Sequence, residues 1–449
     1  MRKAIGGVSL KIERVALVTL GCRVNQYESE ALARDFVERG YEIARSKREA
    51  DIIVVNTCCV TKMAESKSRR VIRHLQKENP GALVVVTGCY SQRAGHELLN
   101  VSGVDLITGN GEKENLVELI EDVRNKQRPQ MEVSNILCRH HFPKAGVKEK
   151  ETSRVRAYLK IEDGCDQFCT YCIVPYVRGP VVSRPYEDIM NEARTLARQG
   201  FKEIVLTGIH TGFYGKDLNV NTNLAKVIKG ILQNEDIERV RLGSLEPKEV
   251  TDEIVELMAG EKRFCSALHI PLQSGDNGIL QAMGRHYSRE YYLALVQRLY
   301  EAIPDIAISA DIMVGFPGES QGAFANTMDV VAQARFASIH AFPYSPRPGT
   351  KAAIFPNRVP GALKDQRQQE LLACGETLKA EFAEKYRGQV LEVLVENKDS
   401  GGYYRGHTDN CILVKFQSKR RNLVGKIIRV EAAENVAGVL YAREGEELS

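Results

Sequence analysis

With 449 residues, 43% of them hydrophobic and 27% charged, the chain is long enough for two or three cores, and its globular composition excludes a disordered or fibrous polypeptide. A formal net charge of +4 is too small to identify a partner, and no apolar run approaches the ~20 residues of a membrane span. Met1-Arg-Lys-Ala-Ile-Gly-Gly runs on to Lys11, Glu13 and Arg14 without a signal-peptide core, so a cytoplasmic protein is expected, and eleven cysteines there favour metal ligation over disulfides.

Three apolar runs near the N-terminus each end in a cysteine: Val15-Ala-Leu-Val-Thr-Leu-Gly-Cys22, Asp51-Ile-Ile-Val-Val-Asn-Thr-Cys58 and Ala82-Leu-Val-Val-Val-Thr-Gly-Cys89. Such runs suit strands buried on both faces of an open parallel α/β sheet, and helical patterns over 26–39, 62–78 and 94–99 follow them. Ligand groups in such sheets gather beyond the carboxyl ends of the strands, so Cys22, Cys58 and Cys89 are expected to converge. The plainer alternative is three small buried residues at strand tips. Cys59 is expected to point away from Cys58 and carries no role. Lys67, Arg69, Arg70 and Arg73, which follow the second strand, either track phosphates or face water. Residues 137–153 lose periodicity and gain charge; they read as a linker in which Cys138, His140 and His141 are not expected to hold metal.

A second α/β series follows, with strands over 156–161, 203–207, 239–243, 267–270, 307–313 and 338–342. Helical patterns over 186–198, 223–232, 250–258, 289–302 and 321–333 separate them, and one over 363–386 closes the region. Six strand–helix repeats predict a partial (β/α)6 barrel of TIM-like construction, with function at the C-terminal strand ends.

Directly after the first of these strands comes Glu162-Asp-Gly-Cys-Asp-Gln-Phe-Cys-Thr-Tyr-Cys, a C-x3-C-x2-C run of Cys165, Cys169 and Cys172. Three thiolates on one loop hold three irons of a [4Fe–4S] cube and leave the fourth iron open. A closed structural zinc site needs four ligands, and no fourth Cys or His lies near in sequence. An open iron can chelate the amino and carboxylate groups of S-adenosylmethionine. A cluster potential several hundred millivolts below zero is low enough to reduce the sulfonium and release a carbon radical. Cys22, Cys58 and Cys89 would make a second three-cysteine site with an open position.

The last residues offer short strands over 390–395, 403–407, 411–416, 425–430 and 439–441, separated by Asp, Asn and Gly turns, which predict a small β-barrel. Between Asp409 and Glu431, Lys415, Lys419, Arg420, Arg421 and Lys426 stand without an acidic residue, with Tyr403, Tyr404 and Phe416 as expected aromatic surface. Such a patch suits RNA backbone and base stacking, or is a solvated face.

Together these motifs resemble the radical S-adenosylmethionine methylthiotransferases over nearly the whole chain. The resemblance implies an N-terminal methylthiotransferase α/β domain with an auxiliary cluster (10–140), a radical barrel (150–385) and a TRAM-type RNA-binding barrel (386–449). Leu206-Thr-Gly-Ile-His-Thr-Gly-Phe-Tyr-Gly and Ala341-Phe-Pro-Tyr-Ser-Pro-Arg-Pro-Gly-Thr are most similar to the branch acting on N6-threonylcarbamoyladenosine of tRNA. Other branches act on isopentenyladenosine of tRNA or on an aspartate of a small-subunit ribosomal protein. Cys59 beside Cys58, and Arg23 where Lys is usual, depart from the family pattern.

By that resemblance, two [4Fe–4S] clusters sit on Cys22, Cys58 and Cys89 and on Cys165, Cys169 and Cys172. S-adenosylmethionine is held near Tyr171, Thr207, Gly208, Glu246, Gln273 and Gly315, and substrate by Arg178, His210, Lys415, Lys419, Arg420 and Arg421. The reaction places a methylthio group at C2 of the modified adenine next to the anticodon. The implied partners of this monomer are tRNA and a flavodoxin- or ferredoxin-like electron donor, with no membrane. Each single position also has a plainer reading as packing, turn or solvated charge. The reading from another class is an RNA-binding iron–sulfur sensor.

Overall fold

The computed structural model describes residues 12–124, 129–143 and 154–444. The chain forms two compact units, one of residues 1–148 with 173–180, the other of residues 149–172 with 181–449. Among the described residues no helix is long and apolar enough to cross a membrane.

In the first unit, strands β1 (Arg14–Thr19), β2 (Glu42–Ile43), β3 (Ile52–Thr57), β4 (Leu83–Gly88), β5 (Leu106–Thr108) and β6 (Gln130–Glu132) form a wholly parallel sheet in the order β2-β1-β3-β4-β5-β6. Every residue of β3 and β4 is buried, as continuous apolar strands in a doubly covered sheet require. Ile53, Val55, Val84 and Val86 pack against Ile72 and Leu75 of α2 (Lys62–Glu78) and Leu98 of α3 (Cys89–Leu99). Ile52, Val54 and Val85 pack on the other face against Leu32 and Phe36 of α1 (Arg23–Glu38) and Ile120 of α4 (Leu116–Val123). The order reverses between β1 and β3, the place where such sheets bind ligands.

Two details differ from the sequence reading. Cys89 opens α3 directly, because Gly88 turns the chain at φ +100°. The residues just after the cysteine loop, α5 (Val174–Arg178), pack within the first unit: Ile173 and Val177 join its core, and Asn110 Nδ2 donates to the Val177 carbonyl at 2.7 Å. Of the expected linker, residues 144–153 lie outside the described residues, whereas Ile136–Cys138 form a 3-10 turn with Ile136 buried and His141 sits 3.0 Å from Glu114.

The second unit starts with β7 (Arg156–Lys160) and a short antiparallel pair, β8 (Glu162–Asp163) with β9 (Val182–Ser183). Then come α6 (Tyr186–Arg198), β10 (Glu203–Thr207), α7 (Leu224–Leu232), β11 (Arg239–Arg241), α8 (Asp252–Gly260) and β12 (Ala267–His269). α9 (Asn277–Ala282), α10 (Arg289–Ala302), β13 (Ala307–Val314), α11 (Gln321–Ala334), β14 (Ser338–Pro343) and α12 (Gly361–Glu384) complete the series. Parallel sheets β11-β10-β7 and β12-β13-β14 are joined by bridges Val240–Phe264 and Ser244–His269, giving the six-strand partial barrel. Helix starts follow the capping rule: the side chains of Asn223, Thr251, Asp276, Ser288 and Ser320 each accept a backbone N–H of the first turn.

β15 (Val390–Lys398), β16 (Tyr404–His407), β17 (Leu413–Gln417), β18 (Ile427–Val436) and β19 (Val439–Arg443) close into a barrel in the order β15-β16-β17-β19-β18. Tyr404 and Phe416, expected on its surface, are cross-strand partners in its core, and Tyr403 and Tyr441 are the half-buried pair outside, ring centres 5.9 Å apart. The closed barrel docks at the N-terminal ends of the partial-barrel strands. There Arg239 and Arg241 donate to the carbonyls of Glu392, His407, Thr408 and Asp409, and Arg156 pairs with both Glu203 and Glu396.

Candidate metal centres

Cys22, Cys58 and Cys89 follow β1, β3 and β4, three neighbours in the sheet, so the topology brings together thiols distant in sequence. The loop after β1 is drawn close to β3: a Cβ on Gly21 would stand 2.8 Å from Cys58 Cβ. Asn25 Nδ2 ties the two strand ends by donating to the carbonyls of Leu20 (2.7 Å) and Thr57 (3.0 Å). Asn25 Oδ1 lies 3.8 Å from Cys22 Sγ, and Asn110 Nδ2 lies 3.7 Å from Cys89 Sγ. Cys59, by contrast, is buried in the apolar core, as its opposite orientation requires.

Close to these thiols is a buried charge network. Arg178 pairs with Glu28 and Asn25, and Lys113 pairs with Glu28 and with Asn110 Oδ1 at 2.8 Å. Arg178, expected to hold substrate, is here engaged by Glu28 and Asn25. Its side chain is 1% exposed because the segment after the cysteine loop folds into the first unit. Burial lowers the Lys113 pKa, with Glu28 opposing the shift, and the Arg178 guanidinium supplies a fixed positive charge near the thiols. Burial pushes the Cys58 thiol up to about 11 and raises Cys22 too, Arg178 opposing the rise at both. Iron would be needed to hold them as thiolates. The Asn110 amide N–H within reach of Cys89 Sγ and the Arg178 guanidinium nearby fit such a cluster.

In the second unit, Cys165, Cys169 and Cys172 occupy the loop at the C-terminal end of β7. Thr170 pins that loop: its N–H donates to Met283 O (2.9 Å), its hydroxyl to Ala282 O (2.8 Å), and its carbonyl accepts from Ala352 N (2.8 Å). Cys165 Sγ is 3.6 Å from Nδ1 of His210, whose Nε2 meets Glu249 and whose ring stacks on Phe213 at 3.9 Å. His210, expected to hold substrate, is 5% exposed, with both ring nitrogens engaged by Cys165 and Glu249. Arg285 spans Cys169 Sγ (3.4 Å) and Glu246. Sequence reasoning missed Arg285 and Glu249, which only the barrel closure brings to this loop, and gave no role to Glu162, which opens the motif itself.

Several positions expected to hold S-adenosylmethionine are otherwise occupied. A Cβ on Gly208 would meet Oε1 of the buried Glu162 at 2.2 Å, so that glycine makes room for a carboxyl that accepts from the His210 N–H. Gly315, at φ +70°, donates its N–H to Glu319 (2.7 Å), and a Cβ there would strike the Lys364 stem at 2.0 Å. Thr207 is buried, its carbonyl accepting from Ile161 N. Tyr171 meets Phe316 edge-on at 6.4 Å, and Glu246 faces Arg285. Gln273 is different: at φ +60°, it buries Oε1 with no hydrogen-bond partner. Such an acceptor at a strand end suits a bound donor such as an ammonium group. Three thiols on one pinned loop, an arginine beside one of them and this open acceptor fit an iron–sulfur cluster with its sulfonium cosubstrate.

One prediction concerns the arginine. Arg285→Gln removes a fixed cation beside Cys169 and disfavours the reduced cluster. Its midpoint should move negative by at least about 40 mV, the equivalent of one hydrogen bond of about 1 kcal/mol in a one-electron couple. Potentiometric electron paramagnetic resonance checks this, and an unshifted midpoint counts against a role for this arginine beside the cluster.

Among known families, residues 14–109 match the uncharacterized protein family UPF0004 and residues 159–331 match the radical SAM superfamily. Similar proteins include threonylcarbamoyladenosine tRNA methylthiotransferase MtaB of Bacillus subtilis (strain 168), 38% identical over 93% of this chain and 93% of that protein. The protein of the same name from Aquifex aeolicus (strain VF5) is 36% identical over 93% of this chain and 99% of its own. The tRNA-2-methylthio-N(6)-dimethylallyladenosine synthase of Acetivibrio thermocellus is also 36% identical, over 92% and 87% respectively. Among solved structures, the radical S-adenosylmethionine methyltransferase TsrM from Kitasatospora setae, with cobalamin and a [4Fe-4S] cluster bound, superposes with a TM-score of 0.57 over 92% of this chain and 80% of that one. At 16% identity that is a likeness of fold.

Proposed function

Since this chain belongs to the radical S-adenosylmethionine methylthiotransferases, we propose that it inserts a methylthio group at C2 of N6-threonylcarbamoyladenosine next to the anticodon of tRNA. The observation that carries the reading is the pair of cysteine triads, each at the C-terminal strand ends of its own unit. A single-cluster radical enzyme has no use for Cys22, Cys58 and Cys89 in that arrangement. When bound, the two clusters and S-adenosylmethionine supply the radical and the sulfur. Cys165, Cys169 and Cys172 hold one cluster; His210 and Arg285 orient it; and Gln273 Oε1 meets the cosubstrate. Asn25, Asn110 and Arg178 steady the other triad. The C2 hydrogen of an adenine is neither acidic nor hydridic, so general acid–base groups alone would not serve.

Substrate choice rests on the similarity to the two MtaB proteins and on the segments 206–215 and 341–350. The location proposed is the cytoplasm, with a flavodoxin- or ferredoxin-like protein as reductant. Mass spectrometry of tRNA nucleosides from cells with and without the gene tests this: 2-methylthio-N6-threonylcarbamoyladenosine should vanish with the gene. Loss of the isopentenyl counterpart instead would move the enzyme to that branch, and an unchanged profile would refute both.

For tRNA contact, Lys419 and Arg421 are exposed at one edge of the closed barrel, and Lys415 lies 5.6 Å over the Tyr441 ring. Arg420 is engaged by Glu444 and contributes less. Replacing Lys419 and Arg421 together by Ala should reduce the slope of log binding constant against log salt by about 1.5, at roughly 0.7–0.9 for each phosphate no longer neutralised. A salt titration with the wild-type slope would remove this face from the interface.

A further inference from the structure

On the strands β12, β13 and β14, Leu268, Ile308, Ala310, Ile312 and Ile339 are buried toward the helices. The opposite face carries His269, Asp311 and His340, to which neither cluster nor the cosubstrate is assigned; the Asp311 carbonyl accepts from the Gln273 N–H at 2.8 Å. Register puts Asp311 directly beside His340, and His269 beside Ser309, two residues before Asp311 on the same face. Asp311 Oδ1 lies 3.2 Å from His269 Nε2 and 3.3 Å from His340 Nδ1, and the three candidate ligand atoms all lie within 4.8 Å of one another.

These separations fit two accounts. Both lie within hydrogen-bond range, so protonated histidines would pair with the carboxylate directly. Two ligands about 2.1 Å from one metal ion, at roughly 90–110° to each other, stand about 3.0–3.4 Å apart, as these do. A support for one histidine is also present: Ser244 Oγ, on the strand-bridge partner of His269, is 2.6 Å from His269 Nδ1. With Nδ1–H donating to that hydroxyl, Nε2 turns its lone pair to the carboxylate, an arrangement a cation satisfies. His340, 63% exposed along its side chain, leaves the site open to entry.

We propose that His269, Asp311 and His340 bind one divalent first-row cation, Zn2+ or Fe2+, as a two-histidine, one-carboxylate site with further positions open to water or substrate oxygen. The assignment stands whether or not the proposed tRNA substrate is right.

The test uses the holoenzyme with its iron–sulfur clusters in place, dialysed anaerobically against buffered free Zn2+, with zinc and iron measured together by mass spectrometry. Wild type should take up one zinc per chain, with X-ray absorption at the zinc edge showing nitrogen and oxygen ligands. His340→Ala, at a largely exposed position, and Asp311→Asn should each weaken uptake at least tenfold with iron content unchanged. Equal zinc in wild type and both variants overturns the site. So does sulfur ligation of the wild-type zinc, which would place the ion at vacated cysteines.

Discussion

Cys22→Ala is expected to leave formation of 5′-deoxyadenosine from S-adenosylmethionine essentially intact while lowering methylthio transfer below detection. Cys22 sits in the first unit, three residues beyond β1, with Asn25 and Arg178 about it, whereas the thiols assigned to cosubstrate cleavage are on the β7 loop of the second unit. Loss of one ligand of three would strip the proposed auxiliary cluster and leave the other ligand set whole. Iron should fall from about eight to about four per chain. Because Cys22 sits at the start of α1 and belongs to neither apolar cluster of the first unit, folding of that unit should be little affected. Parallel loss of cosubstrate cleavage would contradict the division of labour between the two triads.

The second large effect is on stability. Glu203, the first residue of β10, is fully buried among Arg156, Arg239 and Arg241, which in turn hold the closed barrel through its carbonyls and Glu396. Burial alone would raise the Glu203 carboxyl, but the arginines outweigh it and hold it below the usual range; Glu396 is lowered too, despite burial, chiefly through His407. Glu203→Gln leaves three guanidinium groups facing a neutral amide. Removing one partner of a buried ionic cluster costs about 3–5 kcal/mol, so the melting temperature of the second unit should drop by on the order of 10 °C.

The pH dependence has a definite sign. A carboxyl depressed in the folded state contributes stability that is present above its unfolded pKa, near 4.5, and is lost as pH falls below it. Wild-type melting temperature should therefore decline on acidification below that point more steeply than that of Glu203→Gln, which lacks this contribution. Parallel pH profiles would show that the arginine cluster does not hold the barrel in place.

The two cysteine triads were legible in the sequence for different reasons. C-x3-C-x2-C is a local spacing, and the other three thiols each end a run that could only be a doubly covered strand. What escaped was whatever depends on parity or on long-range return of the chain. Tyr403 and Tyr404 are adjacent, and alternation puts one outside and one in the core; composition does not say which. Arg178 is six residues from Cys172 yet folds with the N-terminal sheet, because Ile173 and Val177 find their apolar partners there. Arg285 and Glu249 reach the cysteine loop only once the barrel strands are in order. Gly208 and Gly315, expected near S-adenosylmethionine, are approached here by this protein's own Glu162 and Lys364, which sequence position alone does not reveal.

The most direct test is an anaerobic reaction of the fully reconstituted protein, reductant and S-adenosylmethionine with two otherwise matched tRNAs, one carrying N6-threonylcarbamoyladenosine and the other isopentenyladenosine beside the anticodon. The methylthio mass gain should appear in the first and be absent from the second. Gain only in the second, or in neither while deoxyadenosine accumulates, would contradict the proposed function.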